Sequence, residues 1–333
     1  SAASDVYKRQ TQLSYLTGGS KQTAQDDLKA VFSGNINPRL ALGGSVNYIL
    51  SRGNYQHQAT KDLAYSIFGS YLGDRYDIQF FLNTYNFVNQ ENGGITDDTY
   101  ILNPEEVQGG QASVDTRTIP TNLSDAYNRI RGKEYYATQR YKFGFYQEEE
   151  QDTTVIRTFI PVTSIIHTIE YNENKHRFVN QSATEDTTYF ANTYLGLGGT
   201  NEETRYQSIR NTFGISLLEG FNKYAKMGLA AYATYEYRHF SLPQDTLSAG
   251  TTIEGLTPRP DISNPRSHGE SLLWVGGEIS KQKGELLTYH VNGKFGLAGA
   301  IIGDIDVTAD IRSRFRLWND TVQLRAYGFF KNT

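Results

Sequence analysis

Ile305 to Leu317 read IDVTADIRSRFRL, and apart from Ser313 every second residue from Ile305 onward is apolar. Asp306, Thr308, Asp310, Arg312, Arg314 and Arg316 fill the alternate positions, so a strand here carries one apolar face and one ionic face. The preceding segment repeats the pattern. Leu287, Tyr289, Val291, Gly293, Phe295 and Leu297 alternate with Thr288, His290, Asn292, Lys294 and Gly296. Further upstream, Met227, Leu229, Ala231, Ala233, Tyr235 and Tyr237 oppose Lys226, Gly228, Ala230, Tyr232, Thr234, Glu236 and Arg238. Ile209, Phe213, Ile215 and Leu217 oppose Ser208, Arg210, Thr212 and Ser216.

Weaker alternations precede these, at Leu40 to Leu50, Leu63 to Tyr71, Tyr76 to Leu82 and Tyr135 to Phe145. The whole chain predicts about 13 strands. Short turns at Asn37-Pro38, Gly73-Asp74, Glu219-Gly220, Gln282 to Gly284 and Asn319-Asp320 alternate with long connections near 51–60, 88–130, 181–203 and 241–266. A membrane barrel sorts its connections this way, with tight periplasmic turns and long outer loops. A soluble sandwich has no reason to do so. The longest connection, 88–130, is polar and reads as a loop, not a separate domain.

Composition agrees with strands. The 333 residues include 24 Tyr, 17 Phe and 31 Gly with no Cys, and mean hydropathy is -0.54. No run approaches the roughly 18 apolar residues of a spanning helix, so a membrane crossing would have to be made by strands of about 9–11 residues. The absence of cysteine removes thiolate metal sites and Cys nucleophiles, and a net charge of -4 argues against nucleic acid as a partner. The opening SAASDVYKRQ, Ser1 to Gln10, resembles a translated adaptor; it is set aside as an expected artefact or disordered segment. The folded part is expected to be 11–333, an incomplete barrel whose signal peptide is missing through truncation.

Alternation alone does not say which face is inside, because a sandwich buries its apolar face. Two features favour a barrel. Several runs cover ten or more residues, longer than the usual soluble strand of about 5–6. Aromatics also cluster at strand ends, at Tyr235 with Tyr237, at Tyr141 with Phe143 and Phe145, and at Phe159 with Tyr171. The fold class expected is therefore all-β, a transmembrane antiparallel up-and-down β-barrel. Its polar face would line a wet lumen through Lys226, Glu236, Arg238, Lys294, Asp306, Asp310, Arg312, Arg314 and Arg316. On this reading Leu229→Arg and Ile311→Arg impair assembly, whereas Thr234→Arg is tolerated.

Phe159 to Tyr171 (FIPVTSIIHTIEY), Arg205 to Arg238 (RYQSIRNTFGISLLEGFNKYAKMGLAAYATYEYR) and Gly303 to Ile311 (GDIDVTADI) resemble blocks of the putative porin family of Bacteroidetes outer membranes. The resemblance runs from about residue 130 onward and is fainter before that. It implies an outer-membrane barrel longer than this chain, with a role in passive diffusion. No catalytic motif comes with it.

The residues themselves offer little chemistry. His57, His167, His176, His239, His268 and His290 are scattered without an HExxH pattern, and His167 reads as a structural hydrogen-bonding group near the membrane edge. Gly196, Gly198 and Gly199 lack the Lys-Ser/Thr of a phosphate loop, and Glu148, Glu149, Glu150 and Asp152 lack the spacing of a calcium loop. The Arg312, Arg314, Arg316 ladder is either an anion rail or a set of partners for Asp306 and Asp310, and pairing is the favoured reading.

No catalytic, metal or cofactor site is expected, and no enzyme. The function expected is a porin-like channel for small hydrophilic solutes. The alternatives are a plugged or energised uptake receptor, and a structural or surface-binding barrel without an open pore. The partners expected are outer-membrane lipid or lipopolysaccharide and the solutes; a homo-oligomer is compatible with the pattern.

Overall fold

A computed structural model describes residues 9–332 other than 21–22, 108, 152–153, 191–199, 222–223, 243–266, 285 and 319. They form one antiparallel sheet of 13 strands in sequence order. The strands are β1 (Arg9–Gly18), β2 (Gln25–Asn37), β3 (Leu40–Ser51), β4 (Thr60–Leu72), β5 (Tyr76–Glu91), β6 (Ala126–Gln151), β7 (Thr154–Asn180), β8 (Thr200–Leu217), β9 (Gly228–Ser241), β10 (Ser267–Lys281), β11 (Leu287–Ala298), β12 (Ile305–Leu317) and β13 (Asp320–Asn332). Short helices α1 (Thr99–Leu102), α2 (Pro104–Val107) and α3 (Ala183–Tyr189) lie in two of the connections. No helix among the described residues is long and apolar enough to cross a membrane.

The antiparallel meander places every second connection at the same end. All five short turns read from the sequence fall at one end, and all four long connections fall at the other. Most of the 241–266 connection, Gly196, Gly198, Gly199, Asp152, Asn319 and residues 1–8 lie outside the described residues. Two boundaries differ from expectation. β1 starts at Arg9, paired with Gly34, so Arg9 and Gln10 belong to the sheet. The 88–130 loop is shorter, because β5 and β6 stay paired out to Glu91 and Ala126. Its remainder packs sideways: the Arg117 guanidinium donates to the carbonyls of Arg52 and Tyr55, and the Ser124 hydroxyl donates to Glu185 on α3.

Polarity is distributed in reverse of a soluble protein. Phe213, Ile215, Tyr65 and Ile67 on the apolar face are 58%, 63%, 49% and 54% exposed, while Glu236 on the polar face is 1% exposed. Only Ile119, Leu123, Ala126, Val179 and Leu272 are buried apolar residues among those described, and four of them belong to the loop and to the strand ends beside it. No aqueous core could be made from five such side chains, since even the larger four supply only about 1.5–3 kcal/mol each. The apolar face instead fits hydrocarbon. On β6 it runs from Tyr135 through Ala137, Tyr141 and Phe143 to Phe145, about 33 Å of strand at roughly 3.3 Å per residue, or about 25 Å upright at a tilt near 40°. That matches the apolar band of an outer-membrane barrel.

The aromatic belt departs from expectation at Phe159. Pairing passes from Phe143↔Thr163 to Gly144↔Pro161 and leaves Val162 without a partner on β6. This bulge reverses the alternation of β7, so Phe159 lies opposite Tyr146 and not beside Phe145. The Arg75 guanidinium sits 5.5 Å from each of the Tyr146 and Phe159 ring centres, tying the β4–β5 turn to a β6–β7 hairpin that extends beyond its neighbours.

Candidate pore wall

Residues directly opposite one another in a sheet share a face, so the register assigns every polar side chain. From β7 to β10 the register aligns Glu170 with Arg210, Arg210 with Glu236, and Arg238 with Glu270. Arg210 reaches Glu170 at 3.2 Å and Glu236 at 2.9 Å, while Arg238 reaches Glu236 at 2.8 Å and Glu270 at 3.5 Å. The result is a continuous row of alternating charges across four strands. Beside it Thr212 and Thr234 exchange a 2.9 Å hydrogen bond, as do Ser164 and Ser216 at 2.7 Å and Thr138 and Thr168 at 2.9 Å. Glu170, Arg210, Thr234, Arg238, Trp274 and Lys294 line part of a depression of about 340 Å³ on this face.

Tyr232 extends across the wall because its neighbour on β10 is Gly276, where a side chain would collide with the ring, and its hydroxyl donates 3.0 Å to Asn292 on β11. Lys294 meets Asp306 at 3.3 Å and His290 meets Glu278 at 3.0 Å. On β12, Asp310 accepts from Arg312 at 3.0 Å and from Arg325 on β13 at 2.8 Å. Arg314 and Arg316 have no ion pair among the described residues; with Arg312, Thr288, Thr321 and Gln323 they line a cavity of about 820 Å³.

Eight of the nine residues expected on the polar face lie there: Glu236, Arg238, Lys294, Asp306, Asp310, Arg312, Arg314 and Arg316. Lys226 does not. β9 begins at Gly228, so Lys226 and Met227 are exposed turn residues at the short-turn end, not part of the wall. Glu170, Arg210, Glu270 and Arg325 complete the charge rows and were not among the nine. Arg210 is visible in the alternation, but its partners depend on register, which a single strand does not reveal.

The apolar face carries a hydrogen-bonded polar interruption. Tyr76 donates to Gln139 at 2.9 Å, Gln139 meets His167 Nδ1 at 3.0 Å, and His167 Nε2 meets Asn211 at 3.2 Å, with the imidazole stacked 4.3 Å from Phe213. The expectation of a structural hydrogen bond at His167 holds, but its position is corrected. It lies in the middle of the band, between Ile165 and Ile169, and not at the edge. Mutual hydrogen bonding makes these groups tolerable in hydrocarbon. No group of three or more metal-ligating side chains occurs among the described residues.

A family described as putative porin matches residues 4–333. The chain belongs to this family. Membership extends well upstream of residue 130, where the sequence resemblance is clearest, and agrees with an outer-membrane barrel wall. The fold is shared with a ferric enterobactin receptor of Pseudomonas aeruginosa solved with enterobactin (TM-score 0.54, 10% identity, 96% of this chain and 43% of that chain). It is also shared with the siderophore receptor PirA of Acinetobacter baumannii (TM-score 0.53, 10% identity, 95% and 42%). This porin-family chain thus spans less than half the length of those receptors. Among curated proteins, none matches its sequence.

Proposed function

We propose that the polar face of this sheet lines a water-filled channel through which small hydrophilic solutes cross the outer membrane passively. The observation that carries this reading is the reversed polarity, with Ile215 and Phe213 exposed on one face and the Glu170–Arg210–Glu236–Arg238–Glu270 row on the other. In a barrel that polarity has one consistent arrangement, lipid outside and water inside. The paired charges keep the wall hydrophilic yet nearly balanced, while unpaired Arg314 and Arg316 near the short-turn, periplasmic end attract anions. No bond is made or broken. Selection comes from width and charge.

The wall must also close. Among the described residues β1 and β13 are each hydrogen-bonded along one edge only, and an open edge in hydrocarbon leaves donors and acceptors unsatisfied. Closure therefore comes from further strands or from a β1–β13 seam. The test is conductance of the detergent-purified protein in a planar lipid bilayer under a salt gradient. Stable ohmic steps with a reversal potential on the anion side are expected. A barrel that inserts without passing current would overturn the open-channel reading and favour a plugged uptake receptor, the reading for which the fold shared with siderophore receptors speaks.

A further inference from the structure

Beyond the belt at the long-loop end, the lipid-facing side of β6 and β7 changes character. Tyr135 and Tyr171 are paired neighbours with ring centres 5.6 Å apart, and the residues that follow outward on the same face are charged. Arg131 lies directly opposite Lys175, and Arg129 directly opposite Arg177. Like charges facing each other across a ladder destabilise a sheet, and here two such pairs are adjacent. At about 3.3 Å per residue and a tilt near 40°, they sit about 10–15 Å above the tyrosines, outside the hydrocarbon.

Carboxylates on this face are outnumbered: Glu173 lies opposite Lys133, and Glu203 on β8 lies opposite Arg177 without forming an ion pair with it among the described residues. The Arg129 and Arg131 guanidiniums donate to the Asn86 amide oxygen at 2.7 and 3.2 Å, and Arg177 donates to that of Asn201 at 2.9 Å. Among the described residues none of these three arginines has an ion pair. Glu173, the nearest acid on β7, is taken by Arg205 at 2.8 Å, with Lys175 a distant second at 3.7 Å. Burial and then the charges of Arg131 and Arg177 push the Arg129 guanidinium below its usual pKa range. Neutral amides thus hold the guanidiniums in place and leave donors open toward the side where lipid headgroups lie. Forked donors of this kind suit phosphate.

We propose that Arg129, Arg131, Lys175 and Arg177 form a binding site for the phosphates of a phosphorylated outer-leaflet glycolipid, which clamps the lipid against the outer wall of the barrel. The site rests on the membrane orientation of the sheet and not on an open pore, so conductance and lipid binding fail independently.

The test uses the purified protein in non-ionic detergent with bisphosphorylated lipid A, dephosphorylated lipid A or inorganic pyrophosphate as probes, read by native mass spectrometry and by thermal unfolding. Bisphosphorylated lipid A is expected to bind and to raise the unfolding temperature, and dephosphorylated lipid A to bind at least tenfold more weakly. Arg129→Gln/Arg131→Gln/Arg177→Gln should lose at least tenfold in affinity, while Arg314→Gln/Arg316→Gln on the opposite face should bind as the parent does. Without lipid, the single variant Arg177→Gln should unfold at the same or a higher temperature than the parent, because it relieves repulsion. A purely structural arginine would lower it. Equal binding by the triple glutamine variant, indifference to dephosphorylation, or pyrophosphate competing at the lipid's own concentration would each overturn the proposal. If the triple variant does not assemble, Arg129→Gln alone carries the test, with at least a threefold loss expected.

Discussion

Arg210 Nη2 stands 2.9 Å from a Glu236 carboxylate that is 1% exposed, and Arg238 holds the other oxygen of that carboxylate at 2.8 Å. Glu236 is thus the acidic centre of the row. Replacing it with leucine leaves two arginines facing one another with only Glu170 and Glu270 at their outer sides. Breaking a fully buried pair costs about 3–5 kcal/mol. The cost here should be smaller, about 2–3 kcal/mol by the same rule, because Arg210 and Arg238 remain 38% and 28% exposed. Thermal unfolding followed by gel mobility should show Glu236→Leu opening at a lower temperature, and Arg210→Met/Glu236→Leu recovering part of the loss. No recovery would mean that the pair does not act as a unit.

The two faces should respond oppositely to charge. A cation at mid-band on the apolar face costs about 2–4 kcal/mol, so Leu229→Arg and Ile311→Arg should reduce the heat-modifiable, assembled fraction. The matched probe on the polar face is Thr234→Glu, which enters a depression already holding Arg210, Arg238 and Lys294 and should assemble as the parent does. Thr234→Arg, harmless by alternation alone, adds a fourth cation to that depression and should assemble less well than Thr234→Glu. Equal behaviour of Leu229→Arg and Thr234→Glu would refute the face assignment.

This contrast shows what alternation can and cannot reveal. Ile305 to Leu317 declare a strand and its two faces, because side-chain period is local. The sorting of turns likewise declares which end is which. Partners are not local. Arg312 and Arg325 converge on Asp310 only because the register brings Arg312 opposite Arg325, and Arg210 finds Glu236 for the same reason. Lys226 was misplaced because alternation continues through a turn residue before the first ladder bond of β9. Val162 hides equally well, since one unpaired residue changes no composition but exchanges the faces of everything before it in β7.

At the outer end of β7 and β8, burial works against the Glu173 charge, but hydrogen bonds from Arg205, Tyr171 and Gln207 outweigh it and hold the carboxyl at about 2, below its usual 4.5. A depressed carboxyl contributes stability that is complete above its unfolded value and lost as pH falls through the folded one. The loss attributable to this group should fall between about pH 4.5 and pH 2. Hydrogen exchange at the ends of β7 and β8 should increase across that window in the parent and vary less in Glu173→Gln. A parent and variant with the same pH profile would show that these bonds contribute nothing.

The Tyr232 ring lies over Gly276, and its hydroxyl is anchored to Asn292. A β-carbon at position 276 would occupy the space of the ring, and the neighbouring carbonyl of Gly293 blocks the other side. Gly276→Ala must therefore lift the tyrosine off the wall, away from Asn292 and toward the depression lined by Arg210 and Trp274. In a conducting channel that narrows the lumen, so unit conductance should fall in Gly276→Ala and return toward the parent value in Gly276→Ala/Tyr232→Ser. Tyr232→Ser alone should conduct at least as well as the parent. If Gly276→Ala leaves conductance unchanged in a fully assembled barrel, Tyr232 does not border the permeation path, and the wall that selects solutes lies elsewhere on the polar face.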